Sequence, residues 1–177
     1  MKKQFVMPRL LSVLLCLLLP MAGNAASLKD IKIAIHVVYF VVNPPQGRSL
    51  IGIVYDPRNK ESADDAQSIF DTLSTPTVRG GAALKPVLLD IRELDDAVGL
   101  RAAIATDNMK PYFDKLSHYG RRTGTLIIAT DLDCVRAAKC TVGIASSPRA
   151  EVIVSSQQAQ ASGIVFSEAF RMMITEY

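Results

Sequence analysis

Ser49-Leu-Ile-Gly-Ile-Val-Tyr55 is an unbroken apolar run, and a turn signal, Asp56-Pro57, follows it directly. A run this short and this apolar is expected of a strand buried on both faces, as in a parallel sheet. Beyond it, Ala63, Ala66, Ile69, Phe70 and Leu73 recur at helical spacing. The same alternation returns downstream. Residues 86–89 read as a strand, with Asp90 and Glu93 forming a capping box for a short helix over 94–98. Residues 101–105 are a third strand, and Asp107 opens a helix running to Tyr119 that tolerates Pro111 in its first turn. Residues 125–129 are a fourth strand, and Asp131 starts a helical turn holding Cys134. Strands alternating with helices predict an α/β fold: one three-layer domain around a mostly parallel central sheet.

Past residue 140 the rhythm changes. Two apolar runs, 141–145 and 151–154, are joined by Ser146-Ser147-Pro148-Arg149-Ala150, which predicts a C-terminal β-hairpin. Residues 157–162 form a short helix ended by Gly163, and Ser167 caps a last helix reaching Ile174. Residues 29–42 are rich in β-branched and aromatic side chains, so propensity alone gives a strand. A buried helix fits the same length, and Asn43-Pro44-Pro45 ends either. The segment 75–84, with Arg79-Gly80-Gly81, is the expected mobile loop.

The first 25 residues have a different character. Lys2, Lys3 and Arg9 are followed by an apolar run over 10–19, and Gly23-Asn24-Ala25 places small residues at a cut after Ala25. That is the layout of a cleavable secretory signal peptide, which places the mature chain, 26–177, in the periplasm as one domain with no further membrane insertion. The chain carries 20 basic and 17 acidic residues; three of the basic ones lie in the leader, so the mature chain has 17 of each. A balanced chain lacks the basic footprint that nucleic acid requires.

Cys134 and Cys140 remain after the cut. In an oxidising compartment an even, close pair is most simply a structural disulfide, with a redox or metal pair as the alternative. His36 and His118 show no ligand spacing. Asp56, Asp90, Asp107 and Asp131 each follow a predicted strand. At the carboxyl ends of an open sheet they could line a ligand crevice, with Asp56, Asp107 and Asp131 the candidates; their spacing fits caps for the helices that follow with no further assumption. Gly80-Gly81 reads as a turn rather than an anion cradle, since no phosphate-binding motif surrounds it. Ser155-Ser156 lacks a nucleophile elbow and reads as the close of a strand. No catalytic, cofactor or metal site emerges, which favours a binding or regulatory protein over an enzyme.

The C-terminal third carries a resemblance. Thr125-Leu-Ile-Ile-Ala-Thr-Asp131 leads to Cys140-Thr-Val-Gly-Ile144. The return strand Ala150-Glu-Val-Ile-Val154 comes next, then an Ala-rich stretch from Gln157 to Gly163, then Ile-Val-Phe-Ser167-Glu-Ala-Phe-Arg-Met-Met173. This resembles the YfiR family of small periplasmic proteins. Tyr39-Phe40-Val-Val-Asn-Pro44 is similar to that family's aromatic first helix, which implies helix over 29–42. The resemblance also implies a disulfide between Cys134 and Cys140. It departs from the family at Ser155-Ser156, where an asparagine is usual, and in lacking the cysteines of a second disulfide. The activity it implies is repression: such proteins bind the periplasmic sensor domain of an inner-membrane diguanylate cyclase and restrain cyclic-di-GMP synthesis and biofilm formation. Tyr39, Phe40, Phe166 and Phe170 would then lie on the partner surface, or else simply pack in the core. A second copy of the chain is a further candidate partner. The competing expectation is a small-solute binding module associated with transport, using the strand-end crevice.

Overall fold

The run at 49–55 becomes strand β1 (Arg48–Tyr55), a central strand of an eight-stranded sheet. In the computed structural model of the chain, residues 26–45, 47–74, 78–79, 82–147 and 149–177 are described. Residues 1–25, expected to be a leader and including Cys16, and the Gly80-Gly81 pair lie outside them.

β1 pairs in parallel with β3 (Ala82–Asp90) on one side and β4 (Leu100–Ala105) on the other. β5 (Leu126–Ala129) and β6 (Val142–Ala145) extend the parallel sheet beyond β4. β7 (Glu151–Val154) returns antiparallel to β6, which is the expected hairpin. Two-residue strands finish the edges. β2 (Val78–Arg79) pairs antiparallel to the start of β3, and β8 (Thr175–Glu176) lies parallel to β7. The strand order is β2-β3-β1-β4-β5-β6-β7-β8. The chain winds outward from β1 first to β3, then crosses back to β4, so the winding reverses between β1 and β4. In open α/β sheets ligands bind at the carboxyl ends of the strands, beside such a reversal.

Alternation along the strands feeds two separate cores, because successive strand side chains point to opposite faces. Ile51, Ile53, Ala102, Ile104, Leu126 and Ile128 face one layer, made by α1 (Leu28–Tyr39), α2 (Lys60–Ser74) and the C-terminal segment. Val54, Ala103, Ala105, Ile127 and Ala129 face the other, made by the 3-10 turn Ile91–Asp96, α3 (Phe113–Thr123) and α4 (Leu132–Arg136). The three-layer α/β architecture expected from the sequence is therefore present.

α1 is the helix implied by the resemblance, not the strand given by propensity. Ser27 and Asp30 close a capping box at its start. Its exposed residues Lys29, Lys32 and His36 share one stripe, while Ile31, Ala34, Ile35, Val37 and Val38 are buried on the other. β-branched residues cost a helix little when this much apolar surface packs on a sheet.

Several boundaries differ from expectation. Asp107 does not open a helix: the chain makes a 3-10 turn at Lys110–Tyr112, and α3 starts only at Phe113. The segment after Asp90 is also 3-10, and Asp90 caps it by accepting from the Arg92 amide. The strand expected over 86–89 is longer, with Pro86 beyond the stretch that β2 pairs. The segment 75–84 contains paired strand at 78–79 and 82–83. α5 (Ser156–Ala161) is capped by Ser155, which absorbs the serine pair into structure. The last helix, α6 (Glu168–Arg171), ends before Ile174 because the chain turns to add β8.

Cys134 and Cys140 form a disulfide with their Cα atoms 5.2 Å apart, and both are fully buried against the second core. Gly143 lets α4 lie on β6, since a Cβ there would meet Val135 Cγ1 at 2.4 Å. No helix among the described residues is long and apolar enough to cross a membrane.

Candidate functional site

A chain of buried hydroxyls ties the ends of β1 and β4 together. Thr106 donates to the Val54 carbonyl at 3.1 Å, its oxygen lies 2.7 Å from Ser62 Oγ, and Ser62 Oγ accepts from the Asp56 amide at 3.0 Å. The loops after β1 and β4 are thereby held to the start of α2. Asn108 takes a left-handed φ of 61° at the tip of the β4 loop and donates to Glu61 Oε2 at 2.8 Å. Asparagine adopts that backbone region more readily than most residues.

The three candidate aspartates separate here. Asp56 is saturated: Oδ1 accepts from the Arg58 amide and Nε, and Oδ2 accepts from the Tyr112 hydroxyl at 2.6 Å. The Arg58 guanidinium and then Tyr112 hold its carboxyl well below the usual range, at about 2. Asp107 and Asp131, in contrast, share the wall of a cavity of about 540 Å³ with Asp30, Asp133, Asn108, Thr130 and Arg136. Asp56 is not in that wall. Asp131 also caps α4, accepting from the Asp133 amide at 2.9 Å. Asp131 thus caps α4 and also lines the cavity.

Burial first, and then the charge of Asp65, push the Asp107 carboxyl up to about 6; the Thr130 hydroxyl, donating at 3.0 Å, opposes the rise. Asp65, on α2, is pushed up by burial, although the amides of Ala26 and Asp107 both donate to it at 3.1 Å. Asp30 uses Oδ2 for the capping box, while its buried Oδ1 accepts no hydrogen bond. Arg136 is exposed and supplies positive charge at the same wall. The arrangement can hold a small ligand carrying both an ammonium and an acid group.

Asp30, Asp65 and Arg136 were not among the residues singled out from sequence. Asp65 left a signal there: it falls on the face of α2 that buries Ser62, Ala66, Ile69 and Leu73. A charge at helical spacing among buried neighbours marks a special environment. Among the described residues, no group of three or more His, Cys, Asp or Glu is placed to hold a metal ion.

The aromatic candidates lie elsewhere. Phe166 and Phe170 are buried, and Phe170 stacks on half-buried Phe40 with ring centroids 5.0 Å apart. Tyr39 is half-buried beside them. The apolar surface that reaches solvent nearby belongs to Val42, Val165, Met172 and Met173.

No protein-family model matches the chain, and no curated protein matches it in sequence. A solved structure does match in fold: the ABC domain in complex with L-Trp from Streptococcus pneumonia. It superimposes with a TM-score of 0.58 at 10% identity and covers 87% of this chain. This chain spans 62% of that chain's length. At that identity the likeness is one of fold, the open α/β architecture described above.

Proposed function

We propose that this chain is an exported binding protein whose crevice takes a small zwitterionic solute, with free amino acids the first class to test. The observation that carries the reading is the cavity of about 540 Å³ beyond the carboxyl ends of β4, β5 and β6, walled by Asp30, Asp107, Asp131 and Arg136. Its size suits a small molecule. Asp30 Oδ1 supports a donor-bearing cation, being a buried acceptor without a partner. Arg136, in the same lining, supports an acid group. The tryptophan held by the structural neighbour supports the same ligand class. The balanced charge, the leader and the Cys134–Cys140 bond support a periplasmic setting.

The test is a thermal-shift screen of the exported protein with the common amino acids, followed by calorimetric titration of any that stabilise it. A ligand at a hundredfold its Kd raises stability by about 2.7 kcal/mol, which a melt resolves easily. Asp107→Asn and Arg136→Ala should each weaken binding about tenfold or more. Flat melts with every amino acid at millimolar concentration sink the reading.

A second reading rests on the exposed apolar surface at Val42 (56% exposed), Val165 (62%), Met172 (83%) and Met173 (65%). The first two are joined by a hydrogen bond from the Val42 amide to the Val165 carbonyl at 2.8 Å. In the manner of the YfiR family, this surface would hold the periplasmic sensor of a membrane diguanylate cyclase in its inactive state, by binding that state better. Deleting the gene should then raise cyclic-di-GMP. A level unchanged across growth conditions removes this reading.

A further inference from the structure

Asp65 is 4% exposed, and among the described residues no Lys, Arg or His side chain forms an ion pair with it. Its neighbours make matters worse: Glu61 and Asp64 lie on the same helix, and Asp107 lines the same cavity of about 310 Å³. A buried carboxylate needs a partner of opposite charge. Two groups donate to it, the main-chain nitrogens of Asp107 and Ala26. The second is special. Ala26 is the residue that follows the Gly23-Asn24-Ala25 processing signal.

We propose that the pocket formed by Asp65, Glu61, Asp64 and Asp107 is the seat of the chain's own amino terminus, and that removal of the leader after Ala25 supplies Asp65 with its counter-ion. In the uncut chain the Ala26 nitrogen is a peptide N–H, a single neutral donor. Hydrolysis of the Ala25–Ala26 bond turns it into a primary amine, which takes up a proton at neutral pH. The same atom, 3.1 Å from Asp65 Oδ1, then carries a full positive charge and three donors. A positive charge just before α1 opposes the helix dipole, which favours anions at that end. Asp65, from α2, and Asp30, within α1's first turn, offset that opposition. The cut thus completes an electrostatic site that the precursor leaves short of one cation. Ala26, Asp65 and the Asp107 amide form one connected set, so the new terminus also braces the wall of the ligand crevice.

The test uses the full-length chain exported through the cell's own machinery. Intact mass should place the mature start at Ala26; a different start overturns the proposal. The Ala26 amine should be acylated about tenfold more slowly at pH 7 than the same amine in urea-unfolded protein. Its apparent pKa, from the pH dependence of that rate, should lie at least one unit above the ordinary value of about 8. Equal rates in the folded and unfolded protein, or an ordinary pKa, overturn the proposal without any variant. Asp65→Asn should restore rapid acylation. Should that variant fail to fold, a chain with one glycine inserted between Ala25 and Ala26 displaces the amine by a residue. It should melt about 3 °C or more below the natural product; equal melting temperatures overturn the proposal.

Discussion

Gln158 and Ser117 hold each other by two reciprocal bonds. The Ser117 hydroxyl donates to Gln158 Oε1 at 3.0 Å, and Gln158 Nε2 donates back to the Ser117 carbonyl at 3.1 Å. Both residues are almost wholly buried, and the pair fastens α5 to α3. Gln158→Ala strands the Ser117 hydroxyl away from water and should cost about 1–3 kcal/mol in urea denaturation. Ser117→Ala should cost less. In the double variant the two losses should fall short of their sum, since each single change already breaks the pair.

Gly143→Ala should destabilise by about 1–3 kcal/mol, because the new methyl lands 2.4 Å from Val135 Cγ1 and 3.0 Å from Leu132 Cδ2. Adding Val135→Ala removes the nearer obstacle. The double variant should be more stable than the sum of the two single losses predicts, measured by the denaturation midpoint.

Replacing Cys134 and Cys140 with alanine together should cost roughly 2 kcal/mol, the chain-entropy value for so short a loop. Because both residues are fully buried, reductant acting on the folded protein should open the bond slowly. Thiol labelling over time, with and without denaturant, checks this.

Asp107 sets a pH dependence whose sign is fixed. Its folded pKa of about 6 lies above the unfolded carboxylate value, so the fold favours the protonated form. This contribution is fully favourable below about pH 4 and is lost as pH rises through about 6. Because the side chain is partly exposed, the effect is discounted to about 1 kcal/mol. Asp107→Asn keeps an acceptor for Thr130 and should therefore stabilise the protein at pH 7.5 while changing little at pH 4.5. Paired denaturation curves at the two pH values decide it.

Asp56 works in the opposite direction. Its carboxyl is held down to about 2, so its contribution is present above the unfolded value near 4 and fades as pH falls through about 2. Tyr112→Phe deletes the 2.6 Å hydroxyl bond. The Asp56 carboxyl should then titrate closer to the usual range, read directly by NMR of its side-chain carbon.

The parallel sheet was legible because its strands are short apolar runs with turn residues behind them, a signal that depends on nothing distant. α1 was harder. Its β-branched residues argue for strand one at a time, and the helix shows only in the shared stripe of Lys29, Lys32 and His36 and in the Ser27–Asp30 box. The two-residue strands β2 and β8 carry no local signal, since pairing partners far along the chain define them. The crevice was half legible. Strand ends located Asp107 and Asp131, but nothing local reveals that Arg58 and Tyr112 have already claimed Asp56. Asp30 and Asp65 come from helices that the sheet, not the neighbouring sequence, brings to the same corner.

The bridge between Val41 and Phe166, with the Ser167 amide donating to the Phe40 carbonyl, ties the last segment of the chain across the exit of the first helix. Among the described residues, Phe40 stacks on Phe170. The last residues of the chain therefore complete the cover over the exit of α1, whose remaining apolar side packs on the sheet. Trimming the chain before Phe166 would thus leave Phe40 without its ring partner and bare the exit of α1.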